Sequence, residues 1–331
     1  MFLLRSLVMD EEVIKSWLEK QSLFSSSFIG TRIARMGGKH SLLKAIHLGR
    51  TGNKRKTKYE EAPQRGVVTV QTFDCELFNF TKVARKEYIT DDILINVSPL
   101  AFGHFLFCPG LNDMRPQTLE KSSLAQALRL AGNFSRSDFK LFFNSLGGWA
   151  SVNHMHFHGV FLSGYCTAER DWRGDFREIG QDCCLFEDGR FPIEHSKVYH
   201  KRSTRSESHV FSLDYILPGL RIENSQSDHL LNDAWKVIDY LLLRDIPHNV
   251  LITDGGRCIY IVPRQVQKVV MLPFSQDNGG IHVASAELFG VVICFDESTF
   301  NGLDEANYAD VLRRHVAVDA ALIQKIIGIL D

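Results

Sequence analysis

Residues 144–161 have the sequence NSLGGWASVNHMHFHGVF, which is the segment most informative about the fold. His154, His156 and His158 recur at every second position, the period at which side chains share one face of a β-strand. The residues between them are apolar and suit the opposite, core-facing side. Because three imidazoles in a row are costly to bury without partners, their face is predicted to line a polar site.

Four interpretations of this histidine segment are open from its residues alone. The imidazoles could be satisfied structural groups, or they could bind zinc, which would require further ligands and a second shell. One of them could serve as a general acid or base for a distant Ser or Cys, although no nucleophile-elbow pattern is present. An imidazole could also attack phosphorus, since histidine forms covalent intermediates. The upstream residues suit a phosphate, because Gly147 and Gly148 permit close backbone approach and neutral donors are available from Asn144, Ser145, Ser151 and Asn153.

Composition and charge set the broad class of the protein. The chain has 331 residues, of which 44% are hydrophobic and 23% charged, and this excludes wholesale disorder. Its 38 basic and 39 acidic side chains give a net charge of -1, so long-range electrostatics offer no reason to expect nucleic acid or an anionic membrane as a partner. Seven cysteines without a CxxC pair favour a reducing compartment. No segment has the pattern of a signal peptide or a membrane span, and we expect a cytoplasmic protein.

Changes in composition and in residue pattern divide the chain into four segments. Residues 1–65 are predicted to form a helical arm, with a helical pattern over 10–48, that ends in a basic loop. Residues 66–164 are predicted to form a first block of strands with one helix, and this block contains the three histidines. Residues 165–211 are charged and turn-rich and are interpreted as a connection, and 212–331 form a second block of strands and helices.

Runs of β-branched and aromatic residues predict the strands, and longer amphipathic runs predict the helices. The predicted strands are 67–70, 92–97, 105–108, 139–144, 151–162, 249–253, 258–262 and 269–272. The predicted helices beyond the arm are 118–131, 228–244 and a C-terminal helix from 308 onward.

The histidine segment resembles the histidine-triad superfamily, whose motif is His-φ-His-φ-His-φ-φ with φ hydrophobic, although Gly159 interrupts the pattern. With its flanks, the segment is similar to the animal GDP-D-glucose phosphorylases. These are relatives of the plant GDP-L-galactose phosphorylases and, more distantly, of galactose-1-phosphate uridylyltransferase. Further blocks match the same family in the same order, at 78–82, 95–100, Gly103-His104 with Pro109, 247–253 and 287–290.

The resemblance and the two blocks imply an α+β fold with two histidine-triad-like halves, each an antiparallel sheet with packed helices. The resemblance also implies a reaction in which GDP-D-glucose and phosphate give GDP and glucose 1-phosphate through a covalent guanylyl-histidine. The middle histidine, His156, is the implied catalytic nucleophile. The implied nucleotide and phosphate contacts are His154, His158, Ser151, Asn153, Asn144, Ser145, Gly147, Gly148, Asn96, His248, Asn249 and Arg264. No cofactor or metal ion is implied.

The partners implied by the resemblance are small molecules, namely a GDP-hexose and inorganic phosphate. Neither nucleic acid nor a membrane is expected as a partner, and a homodimer is compatible with this interpretation. Two alternatives stay open, a histidine-triad hydrolase of nucleotide conjugates and a non-catalytic nucleotide-binding protein. Galactose-1-phosphate uridylyltransferases and the plant phosphorylases carry Gln where this chain has His158, whereas the animal GDP-D-glucose phosphorylases carry His. His158 therefore favours the animal enzymes but leaves room for the hydrolase, because hydrolytic histidine-triad proteins also carry His there. Dependence on phosphate would separate a phosphorylase from a hydrolase, and turnover would separate both from a binding protein.

Overall fold

The fold comes from a computed structural model that describes residues 32–46, 92–96, 100, 104–134, 136–162, 188–266, 270, 272 and 280–330. Strands and helices within these ranges are numbered in chain order. Strands β1–β12 are Arg32–Arg35, Leu43–Ile46, Asp92–Ile95, Phe105–Cys108, Phe139–Asn144, Phe157–Phe161, Lys197–Ser203, His209–Asp214, Leu220–Glu223, His248–Thr253, Cys258–Pro263 and Val291–Cys294. Helices α1–α6 are Lys121–Asn133, Ser227–Leu242, Ser285–Leu288, Glu297–Gly302, Glu305–His315 and Ala320–Gly328.

Nine of these strands form one sheet in the order β3-β4-β6-β5-β10-β11-β9-β8-β7, and its neighbours are antiparallel throughout. The strands of the N-terminal half meet those of the C-terminal half at β5 and β10, where Asn144 pairs with Asn249. Because β5 and β10 run in opposite directions, the end of the first lies beside the start of the second. The predicted α+β class is confirmed, and the two halves share one continuous sheet.

Each face of the large sheet is covered by its own apolar cluster. Along β5, Phe143 belongs to a cluster that includes α1, α2 and α6, whereas Phe142 belongs to the cluster on the other face. Helix α1 buries Leu124, Ala127 and Leu128 at the three-to-four spacing of an amphipathic helix. The second face packs on a smaller sheet in which β2 lies between β1 and β12.

The helical pattern assigned to 10–48 is wrong where the structure can test it. Residues 32–35 and 43–46 are the antiparallel strands β1 and β2. Strand β2 also pairs in parallel with β12, about 250 residues further along the chain, and buries Leu43 and Ile46. A pairing between such distant segments leaves no local signal, so the short apolar pattern resembled a helix. Residues 10–31 and the basic loop lie outside the described residues.

The interpretation of 165–211 as a connection is also wrong in its described part. Residues 188–211 contain a short 3-10 helix at Pro192–His195, strand β7 and the start of β8. Strand β7 ends the described sheet and is mostly exposed, so its charged residues gave it the composition of a loop. Of the strand predicted at 269–272, the structure describes only Val270 and Leu272, and Val270 forms a bridge to Ile281.

The single helix predicted from 308 onward is wrong, because the structure has two helices there, α5, which begins at Glu305, and α6. Asp304 caps α5 by accepting from the backbone of Asn307, and Asp319 caps α6 by accepting from Ala321. Seven other predictions agree closely with the structure: the strands at 92–97, 105–108, 139–144, 249–253 and 258–262 and the helices at 118–131 and 228–244. Strands β8, β9 and β12 and helices α3 and α4 were not predicted, and the strand predicted at 67–70 lies outside the described residues. None of the helices in the described ranges is long and apolar enough to span a bilayer.

Candidate active site

The three histidines do not lie on one strand. Strand β6 begins at Phe157, so His158 is in the strand while His154 and His156 precede it, and the prediction of a strand over 151–162 is wrong for its first part. The buried amide of Gln117 accounts for this change. It accepts from the main-chain N–H of His156 at 2.8 Å and donates to its carbonyl at 3.0 Å. A side chain therefore satisfies the backbone here where a neighbouring strand would otherwise do so.

His156 is held by its own local backbone. Its side chain is buried, with 3% exposed, and Nδ1 lies 2.7 Å from the main-chain oxygen of His154. A carbonyl oxygen can only accept a hydrogen bond, so Nδ1 carries the proton and Nε2 is unprotonated in the neutral ring. This tautomer is the one that a nucleophilic histidine requires.

His158 lies between aromatic and imidazole neighbours. Its ring stacks on Phe142 with centroids 5.0 Å apart, and it meets the ring of His156 edge-on, also at 5.0 Å. Its Nδ1 is 3.0 Å from Nε2 of the buried His104, which in turn is 3.1 Å from the side-chain amide of Asn96. His104 thus links the sequence-predicted residues Asn96 and His158, and the ring of His158 contacts that of His156.

The turn that precedes the histidines is fastened to the C-terminal half. Asn249 donates from Nδ2 to the Asn144 side-chain oxygen at 2.8 Å, to the Gly148 carbonyl at 3.0 Å and to the Ser285 hydroxyl at 3.0 Å. The main-chain N–H of Ser285 also donates to the Asn144 oxygen, at 2.9 Å. All of these groups are buried or nearly so. We call Asn144, Asn249 and Ser285 the clasp, because they join the two halves beside the histidine turn.

The two glycines of this turn allow it to approach the second half closely. Gly147 has φ 69°, and a Cβ on it would lie 2.9 Å from Pro247. A Cβ on Gly148 would lie 2.7 Å from the Ser145 hydroxyl and 3.0 Å from the His248 carbonyl. Both glycines therefore have a packing reason within the protein, in addition to the phosphate approach expected from the sequence.

Several residues proposed as phosphate contacts use their polar atoms inside the protein. Ser145 accepts from the main-chain N–H of His248 at 2.9 Å, and Asn153 accepts from that of Gln117 at 2.9 Å. The buried guanidinium of Arg264 donates to the carbonyls of Val283 and Gln265, and burial lowers its pKa to about 10.

His248 is completely buried at the start of β10. Burial lowers its pKa to about 4, and a hydrogen bond from the ring to the Ile246 carbonyl offsets part of this effect. Ser151, in contrast, is only partly buried, as is His158. In the described part of the chain, no group of three or more His, Cys, Asp or Glu is arranged to hold a metal ion.

Sequence reasoning missed three residues that shape the site. Gln117 and Ser285 belong to no motif, and their roles appear only when the chain brings them against residues far away in sequence. His104 stood in a block shared with the phosphorylases but was not assigned to the site. A histidine directly before the apolar run 105–108 was a local signal that could have identified it.

Comparison with known families agrees with this architecture. Residues 9–160 match the family model described as GDPGP1-like, N-terminal domain, and residues 192–327 match the one described as GDPGP1-like, C-terminal domain. The chain belongs to the GDPGP1-like family. The resemblance inferred from the histidine motif is thereby confirmed.

Curated relatives of this GDPGP1-like chain carry two related names. GDP-L-galactose phosphorylase 2 of Arabidopsis thaliana is 27% identical over an alignment of 283 positions, which covers 76% of this chain and 59% of the relative. GDP-D-glucose phosphorylase 1 of Danio rerio is 32% identical over an alignment of 160 positions, which covers 44% of each chain. The Homo sapiens protein of that name is 27% identical and covers 68% of this chain and 56% of its own. The matches therefore span less than two thirds of these three relatives.

Solved structures of yeast Ap4A phosphorylase Apa2 share the fold of this GDPGP1-like chain. One superimposes with a TM-score of 0.56 at 14% identity and covers 93% of this chain and 94% of the other. The complex with Ap4A gives a TM-score of 0.57 at 12% identity, with coverage of 94% and 98%. At such low identity the likeness concerns the fold alone.

Proposed function

We propose that this chain is a nucleotide-sugar phosphorylase that converts GDP-D-glucose and inorganic phosphate into GDP and glucose 1-phosphate. Family membership and the names of the curated relatives support the reaction class. The observation that carries the proposal is the 2.7 Å contact between Nδ1 of His156 and the His154 carbonyl, which leaves Nε2 unprotonated.

In the proposed first step, the Nε2 lone pair of His156 attacks the α-phosphorus of GDP-D-glucose. A nitrogen–phosphorus bond forms, the bond from the α-phosphorus to the bridging oxygen breaks, and that oxygen leaves on glucose 1-phosphate. The positive charge that develops on the ring is stabilised by the hydrogen bond from Nδ1 to the His154 carbonyl. In the second step, an oxygen of inorganic phosphate attacks the guanylyl group, the nitrogen–phosphorus bond breaks, and GDP leaves.

The residues around His156 divide, in this proposal, into two groups. Ser151 and His158 are partly exposed, and they would contact the phosphates together with the backbone of Gly147 and Gly148. The sequence-derived contacts whose polar atoms already bind other parts of the protein would instead hold the turn in place; these are Asn144, Ser145, Asn153, His248, Asn249 and Arg264.

A substrate panel tests this proposal. GDP-D-glucose, GDP-L-galactose and a uridine diphosphate sugar are incubated with the protein, with and without inorganic phosphate, and the nucleotides and hexose 1-phosphate are quantified. We expect GDP and hexose 1-phosphate in equal amounts, only when phosphate is present. Release of GMP at a rate independent of phosphate would identify a hydrolase, and binding of GDP without any turnover would identify a nucleotide-binding protein.

We also infer that the protein works in a reducing compartment, the cytoplasm, as expected from its cysteine usage. Cys108, Cys258 and Cys294 are buried thiols, which supports this inference. A thiol titration of the denatured protein, purified without air, should find all seven cysteines reduced.

A further inference from the structure

A chain of hydrogen bonds that ends at His158 begins at the backbone. The main-chain N–H of Leu100 lies 2.8 Å from Nδ1 of His104, whose side chain is buried with 1% exposed. A backbone N–H can only donate, so Nδ1 of His104 must accept and cannot carry a proton. His104 is therefore neutral, and its single ring proton is on Nε2.

The proton on Nε2 of His104 determines the state of the next ring. Nδ1 of His158 lies 3.0 Å from this nitrogen, and two N–H groups cannot face each other at that distance. Nδ1 of His158 must therefore accept, so His158 is also neutral and carries its proton on Nε2. The Asn96 side-chain nitrogen is placed 3.1 Å from the same His104 nitrogen, and a flip of this amide turns its oxygen towards the N–H instead.

His156 and His158 consequently have opposite tautomers although they are two residues apart. The carbonyl of His154 places the proton of His156 on Nδ1, whereas His104 places that of His158 on Nε2. One outer nitrogen thus carries a lone pair and the other carries an N–H. Nucleophilic attack on a phosphoryl group requires both: a lone pair that attacks the phosphorus, and an N–H that donates a hydrogen bond to the phosphoryl oxygen.

We propose that His104 is a positioning residue that holds His158 in the neutral Nε2–H tautomer, so that His158 donates a hydrogen bond to a phosphoryl oxygen of the substrate. The role of this donor rests on the proposed phosphorylase function, whereas the tautomer follows from the hydrogen bonds alone. Without His104, His158 would be a mixture of the two neutral tautomers. A smaller fraction of the rings would then carry the proton on Nε2 and be able to donate from it.

Kinetics in two backgrounds test the proposal. His104→Leu removes the donor, and His104→Gln keeps an amide N–H that can face Nδ1 of His158. We expect His104→Leu to lower kcat/KM by at least about 10-fold, because loss of a donor to developing charge costs on the order of 100-fold. His104→Gln should restore most of the rate. In a His158→Gln background, where an amide donor has no tautomers, we expect both His104 variants to have nearly the activity of His158→Gln itself.

The kinetic result would contradict the proposal if His104→Leu lowered activity by the same factor in both backgrounds, because a purely structural role does not depend on residue 158. No effect of His104→Leu on the native enzyme would contradict it as well.

The tautomer is also observable without turnover. Nitrogen NMR of ¹⁵N-histidine-labelled protein distinguishes protonated from unprotonated ring nitrogens, and the His158 signals are identified by their loss in His158→Gln. We expect a neutral ring protonated at Nε2 in the native protein and a tautomer mixture in His104→Leu. A native ring protonated at Nδ1 would overturn the proposal. If the tautomer is as expected but no nucleotide sugar is turned over, the proposed function fails and the tautomer assignment stands.

Discussion

The two ring nitrogens of His156 have different tasks in the proposed reaction. Nδ1 holds the ring to the main chain through the His154 carbonyl, and Nε2 provides the lone pair for phosphorus. The partner of Nδ1 is only two residues away, so this orientation is built into the local backbone. Gln117 in turn holds that backbone through both main-chain groups of His156.

We expect His156→Ala to lower the rate by about a thousandfold or more, because the covalent route loses its nucleophile. Denaturing the native enzyme during turnover should trap an acid-labile guanylyl group that the variant lacks. His195→Ala is the control, since the His195 side chain is 49% exposed and lies outside the site. If His156→Ala kept more than about a tenth of the rate, less than ~1.4 kcal/mol of barrier would be involved, and the covalent mechanism would be wrong.

Burial of His248 makes stability dependent on pH. Its pKa falls from 6.5 to about 4 on folding, so between these values the unfolded chain takes up a proton that the folded protein does not. The free energy of unfolding is therefore unaffected by this group above pH 6.5 and decreases as the pH falls towards 4. The total decrease is roughly 3 kcal/mol.

Urea unfolding at pH 7.5, 5.5 and 4.5 checks this expectation. The native protein should lose more free energy of unfolding on acidification than His248→Gln does. An equal pH dependence in the native protein and His248→Gln would show that His248 titrates normally.

At the scale of the secondary-structure elements, strand β6 explains the departure from the histidine-triad motif. Gly159 stands where the motif has a hydrophobic residue, and a Cβ there would lie 2.3 Å from the ring of Phe105 on β4. The Phe105 ring covers the glycine and stacks on Phe139 of β5 with centroids 5.9 Å apart. A large side chain on the neighbouring strand thus fills the space that the motif residue would occupy.

We expect Gly159→Ala to lower the free energy of unfolding by about 1–3 kcal/mol, because the added methyl overpacks this site. Gly328→Ala is the matched control, since a Cβ there meets nothing within 4 Å. Phe105→Leu should recover part of the loss when it is combined with Gly159→Ala, as measured by urea unfolding. Equal stability of the two glycine variants would rule out this packing argument.

At the scale of the whole molecule, the site belongs to both halves of the sheet. The histidines come from the N-terminal half, but the clasp residues Asn249 and Ser285 of the C-terminal half hold Asn144 and Gly148. The antiparallel contact of β5 with β10 brings these groups together. The C-terminal half therefore completes the turn, even though the proposed nucleophile, His156, belongs to the N-terminal half.

We expect Asn249→Leu to lower the free energy of unfolding by about 1–3 kcal/mol, because buried acceptors lose their donor. Activity should fall as well, by about 10-fold or more, since the turn that carries Gly148 loses its anchor. Asn301→Leu, at an exposed position of α4, serves as the control. Circular dichroism confirms folding of both variants before phosphorolysis is measured. Full activity in a destabilised Asn249→Leu would mean that the turn holds its shape without the clasp.

The sequence by itself determined the family, the α+β class and the candidate nucleophile. Three histidines at a period of two, preceded by two glycines and small polar residues, form a dense local pattern, and local patterns are readable without a structure. The core strands β4, β5, β10 and β11 were also predictable, because runs of apolar residues bounded by turn residues carry their own signal.

Only the tertiary structure decided where β6 begins, why β2 is a strand, and which residues hold the histidines. Gln117 reaches His156 across 39 residues, His104 reaches His158 across 54, and Ser285 reaches Asn144 across 141. The tautomers of His156 and His158 depend on whether a donor or an acceptor faces each ring, and one of those partners is supplied by the fold. Hydrogen bonds between distant segments have no period in the sequence, because the chain meets itself there only after the sheet has formed.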